Sequence, residues 1–158
     1  VLLTGSQAVI TANQARFVRV TIPKTGNLRD LAVFVGGQSG NVDIGVYSTA
    51  STRVRLYSSG SVACPAANAW RIIGDPNIAV TQGDLLDFAF ACDNASAAFA
   101  RIAMMSSTYI FPAGFLTGGG ATPKIAGIMG GAFPLPSTVA EGSISDTVSA
   151  ISIIGRIS

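Results

Sequence analysis

The chain contains no histidine and a single glutamate, Glu141. Its 158 residues include only 10 Lys+Arg and 8 Asp+Glu, so 11% are charged. A soluble domain averages about 25%. Without imidazole there is no Ser-His-Asp or Cys-His nucleophile, no histidine metal ligand and no ordinary proton shuttle near neutral pH. Two cysteines, Cys64 and Cys92, are too few for a disulfide framework and lack any zinc spacing. They read as buried free thiols that pack as small apolar groups, with one disulfide as the alternative. Long apolar runs are missing too. Residues 85–91 and 150–154 are the longest candidates, far below the roughly 20 residues of a spanning helix. No membrane insertion is expected, although mean hydropathy is high at +0.50.

What is abundant is small. There are 23 Ala, 18 Gly and 16 Ser. Disorder accompanies low hydrophobicity and high net charge; here 49% of residues are hydrophobic and the net charge is +2. The length suits one domain able to bury its own core. The ten cations are dispersed, with no run to follow a phosphate backbone, so no nucleic-acid partner is expected. Val1 begins without Met or a basic leader. The chain therefore reads as the C-terminal part of a longer product.

Period-two alternation dominates the first two thirds. In residues 15–22, Val18, Val20 and Ile22 oppose Arg19 and Thr21. Val42, Ile44 and Val46 point inward and Asp43, Gly45 and Tyr47 outward. Val54 and Leu56 are expected inward, with Arg53, Arg55 and Tyr57 outward. Leu86, Phe88, Phe90 and Cys92 share a face against Asp87, Ala89 and Ala91. Further strands are expected at 28–35, 69–73, 98–103 and 150–157. Gly, Pro and Asn separate them, as in an all-β antiparallel sandwich. Helix signals are confined to short Ala-rich pieces at 62–68 and 93–98.

Residues 104–149 differ. They hold three charges, Lys124, Glu141 and Asp146, with Gly118-Gly119-Gly120 and four prolines. Structureless stretches of this length are commonly functional. This one carries Phe111, Phe115, Ile128, Met129 and Phe133, candidates for a subunit interface, because apolar loops require cover. The chain is thus one domain, 1–158, with an apolar excursion.

Chemistry-bearing constellations are few. Asp84 and Asp87 fall on opposite sides of a strand, and Asp43, Asp75 and Asp93 each lie within two residues of Gly, Pro or Asn, where Asp caps turns. They do not form a glycosidase pair. The triple glycine lacks the Lys-Ser/Thr of a phosphate loop. No catalytic residue, metal site or cofactor is expected. Aromatics remain. Tyr47 and Tyr57, with Arg55 on the same outward register, are candidate ligand-binding residues able to stack on sugar rings and to hydrogen-bond hydroxyl or acidic groups. Trp70 is either a further stacking platform or a core or interface residue.

Several runs in order resemble a known family. They are Phe17-Val18-Arg19-Val20-Thr21-Ile22-Pro23-Lys24-Thr25-Gly26-Asn27-Leu28, then Ser39-Gly40-Asn41-Val42-Asp43-Ile44-Gly45-Val46-Tyr47, residues 58–62, Trp70, Val80-Thr81-Gln82-Gly83-Asp84 leading into 85–93, and Ile153-Ile154-Gly155-Arg156-Ile157. Together they are similar to the jelly-roll receptor-binding domains of tailed-bacteriophage minor tail and tail-fibre proteins. The likeness covers roughly 15–103 and 148–158. It implies a jelly-roll sandwich, a virion location, a homotrimer, contacts with other virion proteins, and a host cell-surface saccharide as ligand. It carries over no catalytic residue. Similar sandwiches serve as capsid decoration or head-fibre proteins and as carbohydrate-binding modules of secreted enzymes, and fold does not fix function.

Overall fold

A computed structural model describes residues 6–103, 126–147 and 149–158, and for 6–8, 101–103, 146, 147, 149 and 150 the backbone only. The strands are β1 (Ser6–Val9), β2 (Gln14–Thr21), β3 (Gly26–Gly37), β4 (Asn41–Tyr47), β5 (Thr52–Ser58), β6 (Val62–Ala63), β7 (Ala69–Gly74) and β8 (Ile78–Val80). Then come β9 (Leu85–Cys92), β10 (Ala98–Ala103), β11 (Ala126–Gly130), β12 (Thr138–Ala140), β13 (Ser145–Thr147), β14 (Ser149–Ile151) and β15 (Ile153–Ile157). Among the described residues the one helical element is a 3-10 turn, Glu141–Ser143. The Ala-rich pieces at 62–68 and 93–98 form a short strand and turns instead.

All pairings are antiparallel and build two sheets. The first holds β1, β10, β3 and β15 in order, with β14 on β10 and with β7 and β8 on β3. The second runs β12-β5-β4-β9-β2-β11-β13, with β6 on β4. The expected strand at 150–157 is broken at Ser152: β14 pairs with β10 and β15 with β3.

Alternation works as expected between the sheets. Val42, Ile44, Val46, Leu86, Phe88, Phe90 and Cys92 are buried there with Leu31, Val33, Val35 and Phe99. Phe90 meets Phe99 edge-on at 4.5 Å, a favourable arrangement of ring quadrupoles.

On the other face of the second sheet the expectation fails. Asp43, Tyr47, Asp87, Ala89 and Ala91 are all buried, not exposed. Residues 131–140 lie across this face as a strap and close a second core of Ala15, Phe17, Tyr47, Ala89, Ala91, Ala132, Leu135 and Val139. The described part of the excursion therefore covers its own chain. Met129 and Phe133 are half-buried against this second core, and Ile128 is half-buried on β11. Phe111 and Phe115 lie outside the described residues.

A sheet covered on both faces loses the polar-out signal, and β5 shows the consequence. Arg53 is 1% exposed, whereas Val54 and Leu56 are 49% and 47% exposed, the reverse of the expected register. The cause is electrostatic. Arg53 Nε donates to Asp87 Oδ2 at 2.6 Å, and Arg19 donates through Nε to Oδ1 at 2.8 Å and through Nη2 to Oδ2 at 3.0 Å. A buried carboxylate is tolerated when paired and hydrogen-bonded, and two guanidiniums provide both. The Asp87 bond also holds the Arg19 pKa above its ordinary value. Asp87→Asn keeps the shape but deprives the buried Arg53 of its counter-charge. Urea denaturation should show a loss of about 3–5 kcal/mol; a near-neutral result would mean the triad does not hold the strap.

Candidate functional site

The three expected ligand-binding residues come from adjacent strands but do not form one face. A register shift between Val46 and Tyr47 sets Arg55 opposite Tyr47 and Tyr57 opposite Val46. Leu56 is the bulged residue, and a bulge re-aims the side chains that follow it. Directly opposed residues share a face. Arg55 thus lies with Tyr47 on the strap side, while Tyr57 turns toward the core between the sheets. There its ring sits near Gly74, and its hydroxyl accepts the Asp75 N–H at 3.0 Å.

Tyr47 is fully buried, so it is no surface platform. Its ring meets Phe17 edge-on at 5.5 Å. Its hydroxyl donates to the Pro136 carbonyl at 2.6 Å. Arg55 is half-buried; its Nη1 donates to the Leu135 carbonyl, and its backbone N–H donates to Ser137 O at 2.9 Å. Asp43, expected at a turn, sits mid-strand and fully buried. It accepts the Leu135 N–H at 2.9 Å and the Ser58 hydroxyl at 2.8 Å. Tyr47, Arg55 and Asp43 therefore satisfy the backbone of the strap, which lacks a neighbouring strand at Leu135 and Pro136. Gly45 permits this approach: a Cβ there would stand 2.8 Å from Leu135 Cδ1.

Beside the strap lies a surface cleft of about 560 Å³ lined by residues 55–61 and Pro134. Two of the three expected residues, Arg55 and Tyr57, contribute to its wall; Tyr47 does not. Sequence reasoning missed Ser58, Ser59, Gly60 and Ser61. Gly60 adopts φ +71°, a left-handed turn conformation that glycine takes without penalty. The serine cluster followed by this glycine was the available signal.

Trp70 belongs elsewhere. It is 41% exposed on the outer face of the first sheet and stands edge-on to Phe34 at 6.0 Å. Ile72, 64% exposed, and the exposed Ile154 flank Ala32 across neighbouring strands. Cys64 and Cys92 are buried free thiols, and burial pushes both pKa values up, away from the reactive thiolate. Among the described residues no group of three His, Cys, Asp or Glu could hold a metal ion, and no helix is long and apolar enough to cross a membrane.

Burial holds the Tyr47 phenol protonated well above its ordinary value of 10.0. The unfolded chain releases this proton above about pH 10 and the folded chain keeps it, so stability falls as pH rises. Tyr47→Phe loses the bond to Pro136 and is less stable at pH 8. By about pH 11 the gap to the wild type narrows by about 1.4 kcal/mol, because the variant has no proton to release there. Urea denaturation at the two pH values measures the gap; a constant gap would place the phenol in contact with water.

Comparison with protein-family models, with curated proteins and with solved structures finds no match for this chain.

Proposed function

We propose that this chain is a non-enzymatic binding domain of jelly-roll type, a tailed-phage tail-tip or fibre component of the kind its sequence resembles. In this reading it acts in the virion as a homotrimer and holds host-surface saccharide. The cleft beside the strap carries the reading. It is open, its lining is mostly polar, and it places a guanidinium, a tyrosine and three serines around a space of about 560 Å³. The lining is held on one side by strand pairing between β4 and β5 and on the other by the pinned strap. Such a preformed site loses little entropy on binding.

Ser61 is exposed at the rim, and its side chain holds no other described residue. Ser61→Trp fills the cleft without removing any of the bonds that pin the strap. It should abolish co-sedimentation with insoluble bacterial cell-wall polysaccharide and leave the melting temperature unchanged. Retained binding would remove the cleft from the adhesion reading.

A second reading, a capsid decoration or head-fibre protein, is favoured by the apolar outer face of the first sheet around Trp70, Ile72 and Ile154. Contiguous exposed apolar patches mark protein contacts. Both readings expect self-association or docking. Analytical ultracentrifugation should give a particle of three chains of 16.1 kDa each; a monomer at micromolar concentration would count against the trimer. Binding to naked capsids but not to cells would favour the decoration reading.

A further inference from the structure

The serines of the cleft offer a ligand less than their number suggests. The Ser58 hydroxyl donates to Asp43 Oδ1 and Oδ2, at 2.8 and 2.9 Å, and accepts the Gly60 N–H at 3.0 Å. The Ser59 hydroxyl lies 3.3 Å from Asp43 Oδ1 and 3.2 Å from the Gly60 carbonyl, and accepts the Ile44 N–H at 3.1 Å. Both serine protons are thus directed inside the protein. The Tyr57 hydroxyl is turned away toward Asp75.

Two side chains remain able to face a ligand. Arg55 uses Nη1 on Leu135, and a guanidinium has five N–H donors and no acceptor. Ser61 stands exposed at the rim. No carboxylate lines the cleft. Asp43 lies behind it without solvent contact, its oxygens taken by two serines and the Leu135 N–H. Arg55, half-buried, is the one charged residue of the lining. A neutral sugar hydroxyl is best met by a donor and an acceptor together, and the side chains supply mainly donors. An anionic oxygen group only accepts, and the planar guanidinium fork matches carboxylate and phosphate in geometry and charge.

We propose that the cleft takes an anionic oxygen group, a carboxylate or phosphate borne on a surface saccharide, with the Arg55 guanidinium as its principal partner. The inference rests on the reading of the cleft as a saccharide site and names the class of saccharide.

Isothermal titration with three polymers tests it: polygalacturonate, a poly(glycerol phosphate), and neutral dextran. One or both charged polymers should bind, more weakly at high salt, and dextran should not. Binding of polygalacturonate alone identifies a carboxylate, and binding of the phosphate polymer alone a phosphate. Ser61→Glu should weaken the binding about threefold or more, and Ser61→Lys should strengthen it by a similar factor, through charge at the rim. Opposite signs at one position cannot come from steric change alone. If dextran binds as tightly as the charged polymers and is displaced by Ser61→Trp, the anionic inference falls while the saccharide reading stands. If the Glu and Lys variants do not diverge, the inference falls likewise. If none of the three polymers binds, the saccharide reading itself is overturned, and the inference with it.

Discussion

Asp87 is a carboxylate without solvent contact on the middle strand of a sheet covered on both sides. Its cross-strand neighbours are Arg19 on β2 and Tyr47 on β4, and Arg53 reaches it from β5. Isolated, such a charge would cost several kcal/mol to bury. With two guanidiniums on its two oxygens the cost is offset, and three strands are tied at one point. Arg53 must then lie on the strap side of β5, which fixes Arg55 on that side two residues later. Arg55 holds the Leu135 carbonyl, and Val139 pairs with Arg53 across the strap's own strand, β12. The position of the strap, and with it one wall of the cleft, follows from the pairing of one aspartate.

The same arrangement explains why residues that look like ligand contacts become internal supports. A strap without a full strand partner must still satisfy its N–H and C=O groups. Asp43 accepts from Leu135 N–H, Arg55 donates to Leu135 O and Tyr47 donates to Pro136 O. Polar residues on a strand thus have two readings, toward solvent or toward an overlying segment, and the alternation is identical in both. What remains for a ligand is the part of Arg55 that the strap leaves unused.

Legibility followed this division. Where one face of a strand packs on the main core, period two identified it: Leu86, Phe88, Phe90 and Cys92, and Val42, Ile44 and Val46, lie where alternation puts them. The turn at Gly83, one of the glycines that separate the expected strands, was equally local; Asp84 accepts the Thr81 N–H at 2.7 Å. The second core was not legible, because it depends on residues 131–140 meeting β4, β5 and β9 across distances in sequence that no local window contains. Nor was the shift at Leu56, since a bulge in β5 has no period of its own. Arg55 and Tyr57 were rightly placed on one strand and wrongly on one face. The cleft was half visible: its Arg and Tyr by chemistry, its serines only once their protons could be followed to Asp43.

The scarcity of charge and the excess of small residues share a cause in this architecture. A third layer can lie on a sheet only if the sheet's outer side chains are short, are apolar and pack beneath it as Phe17 does, or are polar and bonded. On this face the short positions are Ala15, Gly45, Ala89 and Ala91, all buried. A methyl group at Gly45 would stand within 2.9 Å of the Tyr57 carbonyl as well as against Leu135. It would force the strap outward and lengthen the Leu135 N–H bond to Asp43. The bonded positions are Arg19, Asp43, Tyr47, Arg53, Arg55 and Asp87, each with its partner supplied. A charge elsewhere on the face would be buried without one. The alanines on this face, and the pairing of each charge there, are therefore requirements of covering one sheet twice. They need no neighbouring subunit, whereas the apolar side chains around Trp70, on the outer face of the other sheet, have no such cover among the described residues.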